Sequence, residues 1–133
     1  VAAVAAGTLV GWWLFAPDQP ARALGQIHLS QIARAPFCNA MLGYSIDASH
    51  EGRGLMREAL GAVLADAFSA RVGLHRVQAN VRPENARSLA LLERLGFERE
   101  GLAREYLFID GAWRDHVITA RRAPGWAADR APT

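Results

Sequence analysis

Apolar positions along the chain follow two alternating periods, near two residues in some stretches and near 3.6 in others. Residues 8–15, "TLVGWWLF", read as a strand, and the Pro- and Asp-rich "PDQPAR" at 17–22 reads as a turn. "ALGQIHLSQI" (23–32) is a second strand with "RAPFCN" as its exit loop, and "AMLGYSID" (40–47) is a third. From Leu55 to Phe68, the apolar residues Leu55, Met56, Ala59, Leu60, Val63, Leu64, Ala67 and Phe68 mark one helical face, with Gly73 after it. "HRVQANVR" (75–82) is a fourth strand, in which Val77, Ala79 and Val81 alternate with polar residues. A second helix covers about 86–95, with Asn85 as N-cap, Leu89, Leu92 and Leu95 on its face, and Gly96 ending it. "REYLFIDGAWRDHVITA" (104–120) reads as a hairpin, because Asp110-Gly111 is the pair a type I′ turn requires.

Strands first, then strand–helix–strand–helix–hairpin, predict an α/β fold: a mixed, mainly antiparallel central sheet flanked by helices. Residues 1–123 form one domain in this reading, and "PGWAADRAPT" (124–133) is a flexible tail. The uncharged opening "VAAVAAGTLVGWWLFA" (1–16) reads as the end of an alanine-rich helix, a break at Gly7, then a buried strand. Sixteen residues fall short of the roughly 20 that a spanning helix needs, and no basic segment precedes them, so no membrane association is expected. There is no initiator methionine, and the chain is expected to begin partway into its domain.

Composition narrows the function classes. The 133 residues are 51% hydrophobic, enough for a single core. Fifteen basic side chains against 13 acidic ones argue against nucleic acid, while the slight basic excess admits an anionic ligand. The lone Cys38 excludes an internal disulfide and suits a reducing cytoplasm; with no His or Asp motif beside it, it is read as a plain thiol. Four scattered histidines give no metal-ligand spacing, so no metal is expected. Trp12, Trp13 and Phe15 are read as core, whereas Tyr44 suits either a cleft wall or strand packing.

Candidate chemistry begins at "HEGRGLM" (50–56), where the third strand gives way to the first helix. A helix start exposes unpaired N–H groups at the positive end of the helix dipole and binds anions. Gly52 and Gly54 let the main chain approach a ligand, and the amides of residues 52–56, including Leu55 and Met56, would hold it. Arg53 and Arg57 add charge suited to phosphate oxygens. The same glycines would also serve a tight turn with no ligand. A Walker loop is absent, and so is a dinucleotide fingerprint, because Arg57 stands where that pattern needs glycine.

"DASHEGRGLMREAL" followed by "RVQANVRPENARSLALLERLGFEREG" resembles the GNAT-type N-acetyltransferases. Their turn pattern, Gln/Arg-x-x-Gly-x-Gly/Ala, falls on Glu51, Gly54 and Met56; Gly54 matches, and Glu51 and Met56 depart from it. Together with "DGAWRDHV", the run from about Leu9 to Ala120 is similar to the branch that acetylates the N-terminal alanine of a ribosomal protein. The resemblance implies the acyl-CoA N-acyltransferase fold, here lacking its first strand and most of its first helices, and acetyl-CoA as co-substrate. The implied acceptor is a protein N-terminus. A small amine such as a polyamine or aminoglycoside is the alternative acceptor, and a non-catalytic acyl-CoA-binding module is the alternative function.

The reaction so implied moves acetyl from a thioester to an amine that must be neutral to attack; an α-amino group, with pKa about 7.7–8.0, already is in part. The resemblance assigns carbonyl polarisation to backbone N–H groups near Ser45 and Ile46. It also places Asn85 and Ser88 beside the pantetheine arm, with Ser88 donating to the thiolate. Asn85 as a mere cap and Ser88 facing solvent is the competing reading. Counting back from Asp110-Gly111 opposes Tyr106 to Asp115 and Glu105 to His116, a carboxylate–imidazole pair that could relay a proton. The resemblance also points to an acid near position 105, so Glu105 is the candidate base; a plain cross-strand ion pair is the alternative, and a bulge would dissolve the pairing.

Overall fold

The structure, a computed structural model, describes residues 2–3, 9–16, 19–47, 54–69 and 72–124. The elements in chain order are β1 (Ala2–Ala3), β2 (Val10–Ala16), β3 (Gln19–Ala33), β4 (Asn39–Ile46), α1 (Leu55–Ala67), β5 (Arg76–Val81), α2 (Ala86–Arg94), β6 (Glu98–Ile109) and β7 (Ala112–Arg122). The strands form one sheet in the order β1-β2-β3-β4-β5-β7-β6. Only β4 and β5 run parallel, with α1 as their crossover; the other neighbours are antiparallel. The expected mixed, mainly antiparallel sheet is therefore present.

Alternation along the strands places the core. Leu29 opposes Leu42 and Ile27 opposes Tyr44, while Ala40 and Leu42 pair with Val77 and Ala79. One sheet face thus carries an apolar band. Met56, Leu60, Val63 and Leu64 of α1 and Leu89 and Leu92 of α2 close over it in a single cluster. Leu60, Leu64 and Leu92 are fully buried, each stabilising the fold by about 2 kcal/mol through area removed from water. The opposite face is polar along β5. There Arg76 donates to Asn39 and Gln78, both at 2.8 Å, and Gln78 donates to Asn80 at 2.9 Å.

Four expectations need correction. Ala2–Ala3 form a short strand against Gly11 and Val10, not the end of a helix: the ladder partner offered by β2 outweighs alanine's helix preference. β3 already starts at Gln19, inside the expected turn, and β6 starts at Glu98, well before residue 104. Trp13 and Phe15 are 53% and 51% exposed, because they do not share the core-facing side of Trp12. α1, by contrast, ends at Ala67 with Phe68 as its C-cap, in line with the expected face from Leu55 to Phe68. Residues 125–133, nearly all of the expected tail, lie outside the described residues. Among the described residues no helix is long and apolar enough to cross a membrane.

Candidate active site

The parallel β4–β5 ladder pairs Asn39–Leu42 with Arg76–Ala79 and goes no further. Beyond it, Gly43–Ile46 stay paired to β3, while Asn80 and Val81 stay paired to β7. The two central strands therefore part, and the sheet opens as a V. A groove of about 620 Å³ occupies this opening. Tyr44, Ser45 and Ile46 of β4 form one wall, the start of α1 from Gly54 to Arg57 forms its end, and Asn85 and Ser88 at the start of α2 form the other wall. All the described residues expected to hold the coenzyme thus line one groove, together with Ser88. Gly52 and Arg53 lie outside the described residues.

At the α1 end, Gly54 is the N-cap with φ +74°, a left-handed conformation that glycine adopts without strain. Among the described residues no side chain caps this helix, and its first intrahelical bond is Glu58 N–H to Gly54 O, at 3.1 Å. Amides of the first turn therefore face the groove's end with no described side chain on them, and with the positive end of the helix dipole behind them. Arg57 is exposed and makes no hydrogen bond or ion pair among the described residues. Uncapped amides, a missing Cβ and an unpaired guanidinium suit a diphosphate.

α2 begins differently. Asn85 Oδ1 accepts from Ser88 N at 3.1 Å, so the expected cap forms. That bond fixes the first turn, and the Ser88 hydroxyl hydrogen-bonds to the Tyr44 hydroxyl across the V. Burial pushes the Tyr44 phenol above its usual range, and the Ser88 bond partly offsets this, so the phenol stays protonated at neutral pH. Tyr44 had two readings from sequence. Its place on the same strand face as Leu42 and Ile46, the face α2 covers, was the available signal that it belongs to the site.

The hairpin departs from the expected register. Its turn forms as expected, with positive φ at Asp110 (52°) and Gly111 (79°), and Ile109, Phe108 and Leu107 oppose Ala112, Trp113 and Arg114. The register then shifts, and Ala103, not Glu105, opposes His116. A bulge over residues 104–106 faces Asp115 alone. Glu105 adopts φ +46° and its N–H donates to Asp115 Oδ1 at 2.9 Å. The Glu105–His116 and Tyr106–Asp115 pairs therefore do not form. His116 is instead buried, its Nδ1 is 3.0 Å from Arg114 O, and the Tyr106 ring lies 5.8 Å from its own. Neither Glu105 nor His116 lines the groove. Among the described residues no group of three His, Cys, Asp or Glu side chains could hold a metal ion.

Comparison with known proteins agrees with this geometry. Residues 2–98 match the acetyltransferase (GNAT) domain family. The chain is 45% identical over 125 residues to the [ribosomal protein uS5]-alanine N-acetyltransferase of Escherichia coli (strain K12), covering 93% of this chain and 63% of that enzyme. Two solved structures superpose well. The ribosomal-protein-S5-alanine acetyltransferase of Vibrio fischeri gives a TM-score of 0.76 at 39% identity, covering 80% of this chain and 57% of that one. Mycobacterium smegmatis RimJ in complex with CoA-disulfide gives 0.81 at 37% identity, covering 93% and 59%. The chain spans less than two thirds of the length of each of these relatives. With a family match over most of its residues and the parted β4–β5 strands above an uncapped helix start, the chain belongs to the GNAT acetyltransferase family.

Proposed function

We propose that the chain is the coenzyme-binding part of an acetyl-CoA-dependent N-acetyltransferase whose acceptor is the N-terminal alanine of a ribosomal protein. The observation that carries this reading is the Tyr44–Ser88 hydroxyl pair, which spans the V where β4 and β5 part. The 45% identity to the Escherichia coli enzyme supports this acceptor class.

Acetyl-CoA supplies an activated acyl group on a thioester when bound. The amides at the start of α1 and Arg57 hold the diphosphate, and the backbone near Ser45 and Ile46 polarises the thioester carbonyl. Attack by the amine nitrogen forms the C–N bond as the C–S bond breaks. Ser88, held in place by the Asn85 cap and bonded to the protonated Tyr44, gives a proton to the departing sulfur, and Tyr44 can replace it. The acceptor nitrogen loses one proton to water, since Glu105, the acid expected to take it, does not line the groove.

The test incubates the protein with acetyl-CoA and either a peptide beginning with alanine or spermidine, reading product masses. A gain of one acetyl group at the peptide α-amine is expected. Acetylation of spermidine alone would replace the acceptor assignment. Coenzyme binding without any product would reduce the chain to a binding module.

A further inference from the structure

β6 is the last strand of the sheet, and among the described residues no strand pairs with its outer edge. It is 12 residues long, and all of it but Ala103 and Ile109 is exposed. An edge this long and open will pair with another strand unless something prevents it. Its register against β7 shifts between Arg99 and Gly101 and again between Ala103 and Leu107, which puts a bulge on either side of Leu102. Bulges ordinarily protect an edge, because a regular strand cannot follow them. A strand bent at matching places can.

The charges on β6 say what such a strand must carry. In "EREGLARE" (98–105), Arg99 stands three residues before Leu102 and Glu105 three after it, while Glu100 stands two before and Arg104 two after. Two copies of β6 run antiparallel, with Leu102 opposite Leu102, therefore set Arg99 against Glu105 and Glu100 against Arg104. Twofold symmetry makes each pair occur twice. A slip of one residue opposes Arg99 to Arg104 and Glu98 to Glu105 in one direction, and Glu100 to Glu105 in the other. Like charges directly opposed are destabilising, so the register is held from both sides. Among the described residues the side chains of Arg99, Arg104 and Glu105 make no hydrogen bond or ion pair. Glu100 already pairs with Arg76, and Arg104 of a second copy would add another cation to it. At the centre, Leu102 is 53% exposed, and Gly101 opposite Ala103 is small enough to let the strands close.

We propose that β6 is a homodimerisation edge: a second copy of this chain pairs with it antiparallel about Leu102 and joins the two sheets into one. Each bulge then meets a bulge, and each free charge meets its opposite. Two strands, β7 and β6, separate each V from the junction, so pairing leaves both grooves open. The inference stands on β6 alone and goes beyond the coenzyme reading.

Sedimentation equilibrium of the full chain over a range of concentrations reads the dimer dissociation constant. The parent should dimerise, and more weakly as salt rises, because exposed ion pairs are screened. Arg99→Glu and Glu105→Arg each turn two attractive pairs into repulsive ones, and each should weaken the dimer about tenfold or more. Mixed in equal amounts, the two variants should recover it as a heterodimer, because every contact between positions 99 and 105 again joins opposite charges. A folding defect would survive mixing, so recovery reads the contact itself. Leu102→Cys should give a disulfide-linked dimer on mild oxidation, whereas the parent, whose Cys38 is buried, should not.

A parent that stays monomeric at every concentration would overturn the proposal. So would a dimer that both charge reversals leave intact, since its contact lies elsewhere, or a mixture that associates no better than its parts. Introduced thiols that never link would remove Leu102 from the twofold axis and the pairing with it.

Discussion

The two helices cover the same face of the sheet and begin in opposite ways. α1 opens on a left-handed glycine with no cap from any described side chain, and α2 opens on Asn85, whose side chain takes the Ser88 amide. A capped start satisfies its own donors and fixes the side chains of its first turn. An uncapped one keeps its donors for something else. The difference separates two tasks a transferase must perform at once. Under the proposed function, phosphate needs free amides and a close main chain, the task assigned to α1; a proton donor needs a fixed side chain, the task assigned to Ser88 on α2. Each start is poor at the other's task.

The largest effect should come from the fixed side chain. Ser88→Ala removes the hydroxyl proposed to meet the departing sulfur and should lower kcat about a hundredfold, the lower range for a positioned general acid. Coenzyme affinity by calorimetry should hold, because the α1 amides are untouched; an unchanged kcat would remove Ser88 from the chemistry. Next, Gly54→Asn gives α1 the kind of start that α2 has. Asparagine tolerates the left-handed conformation, and its side chain can take a first-turn amide. Coenzyme affinity should fall about tenfold, with a small loss in melting midpoint because a side chain is strained at φ +74°. Unchanged affinity would mean that those amides hold no phosphate.

How far the sequence discloses this molecule depends on the range of the interactions involved. α2 was readable almost to the residue, since Asn85, the leucines at 89 and 92 and the left-handed Gly96 act within three turns of one another. The Asp110-Gly111 turn was readable for the same reason. The bulge at 104–106 was not. There the Glu105 N–H reaches the Asp115 carboxylate, and every pairing beyond the bulge is moved. The Tyr44–Ser88 bond joins residues 44 apart in sequence, and only the sheet and the crossover helix bring them together. Trp13 and Phe15 were misread because hydrophobicity says what a strand can bury and not which of its faces is covered. The residues lining the groove were therefore legible in its local parts, and the strand register around Glu105 and His116 was not.

A smaller effect separates the cap from the chemistry it supports. Asn85→Ala leaves the Ser88 amide without its acceptor and should cost about 1 kcal/mol in urea denaturation. kcat should fall as well, because Ser88 is no longer fixed. Asn85→Asp keeps an acceptor and should restore both. If Asn85→Ala loses stability alone, the cap is structural and Ser88 needs no help in reaching the sulfur.

The smallest effect reads the environment of Tyr44 directly. Burial raises the folded-state pKa of its phenol above the ordinary value of 10.0, so over that range the folded chain keeps a proton the unfolded chain has lost. A group of this kind contributes stability that is fully present below the unfolded pKa and lost as pH rises through the folded one. The parent should therefore lose stability above about pH 10, beyond what other groups cause. Tyr44→Phe cannot ionise, and it also lacks the bond to Ser88. It should begin slightly less stable near neutral pH, and the gap should narrow as the solution becomes alkaline. Denaturation curves at a series of alkaline pH values give both. A constant gap would mean that the phenol is as well solvated as in the unfolded chain, and that the wall of the V at Tyr44 is open to water.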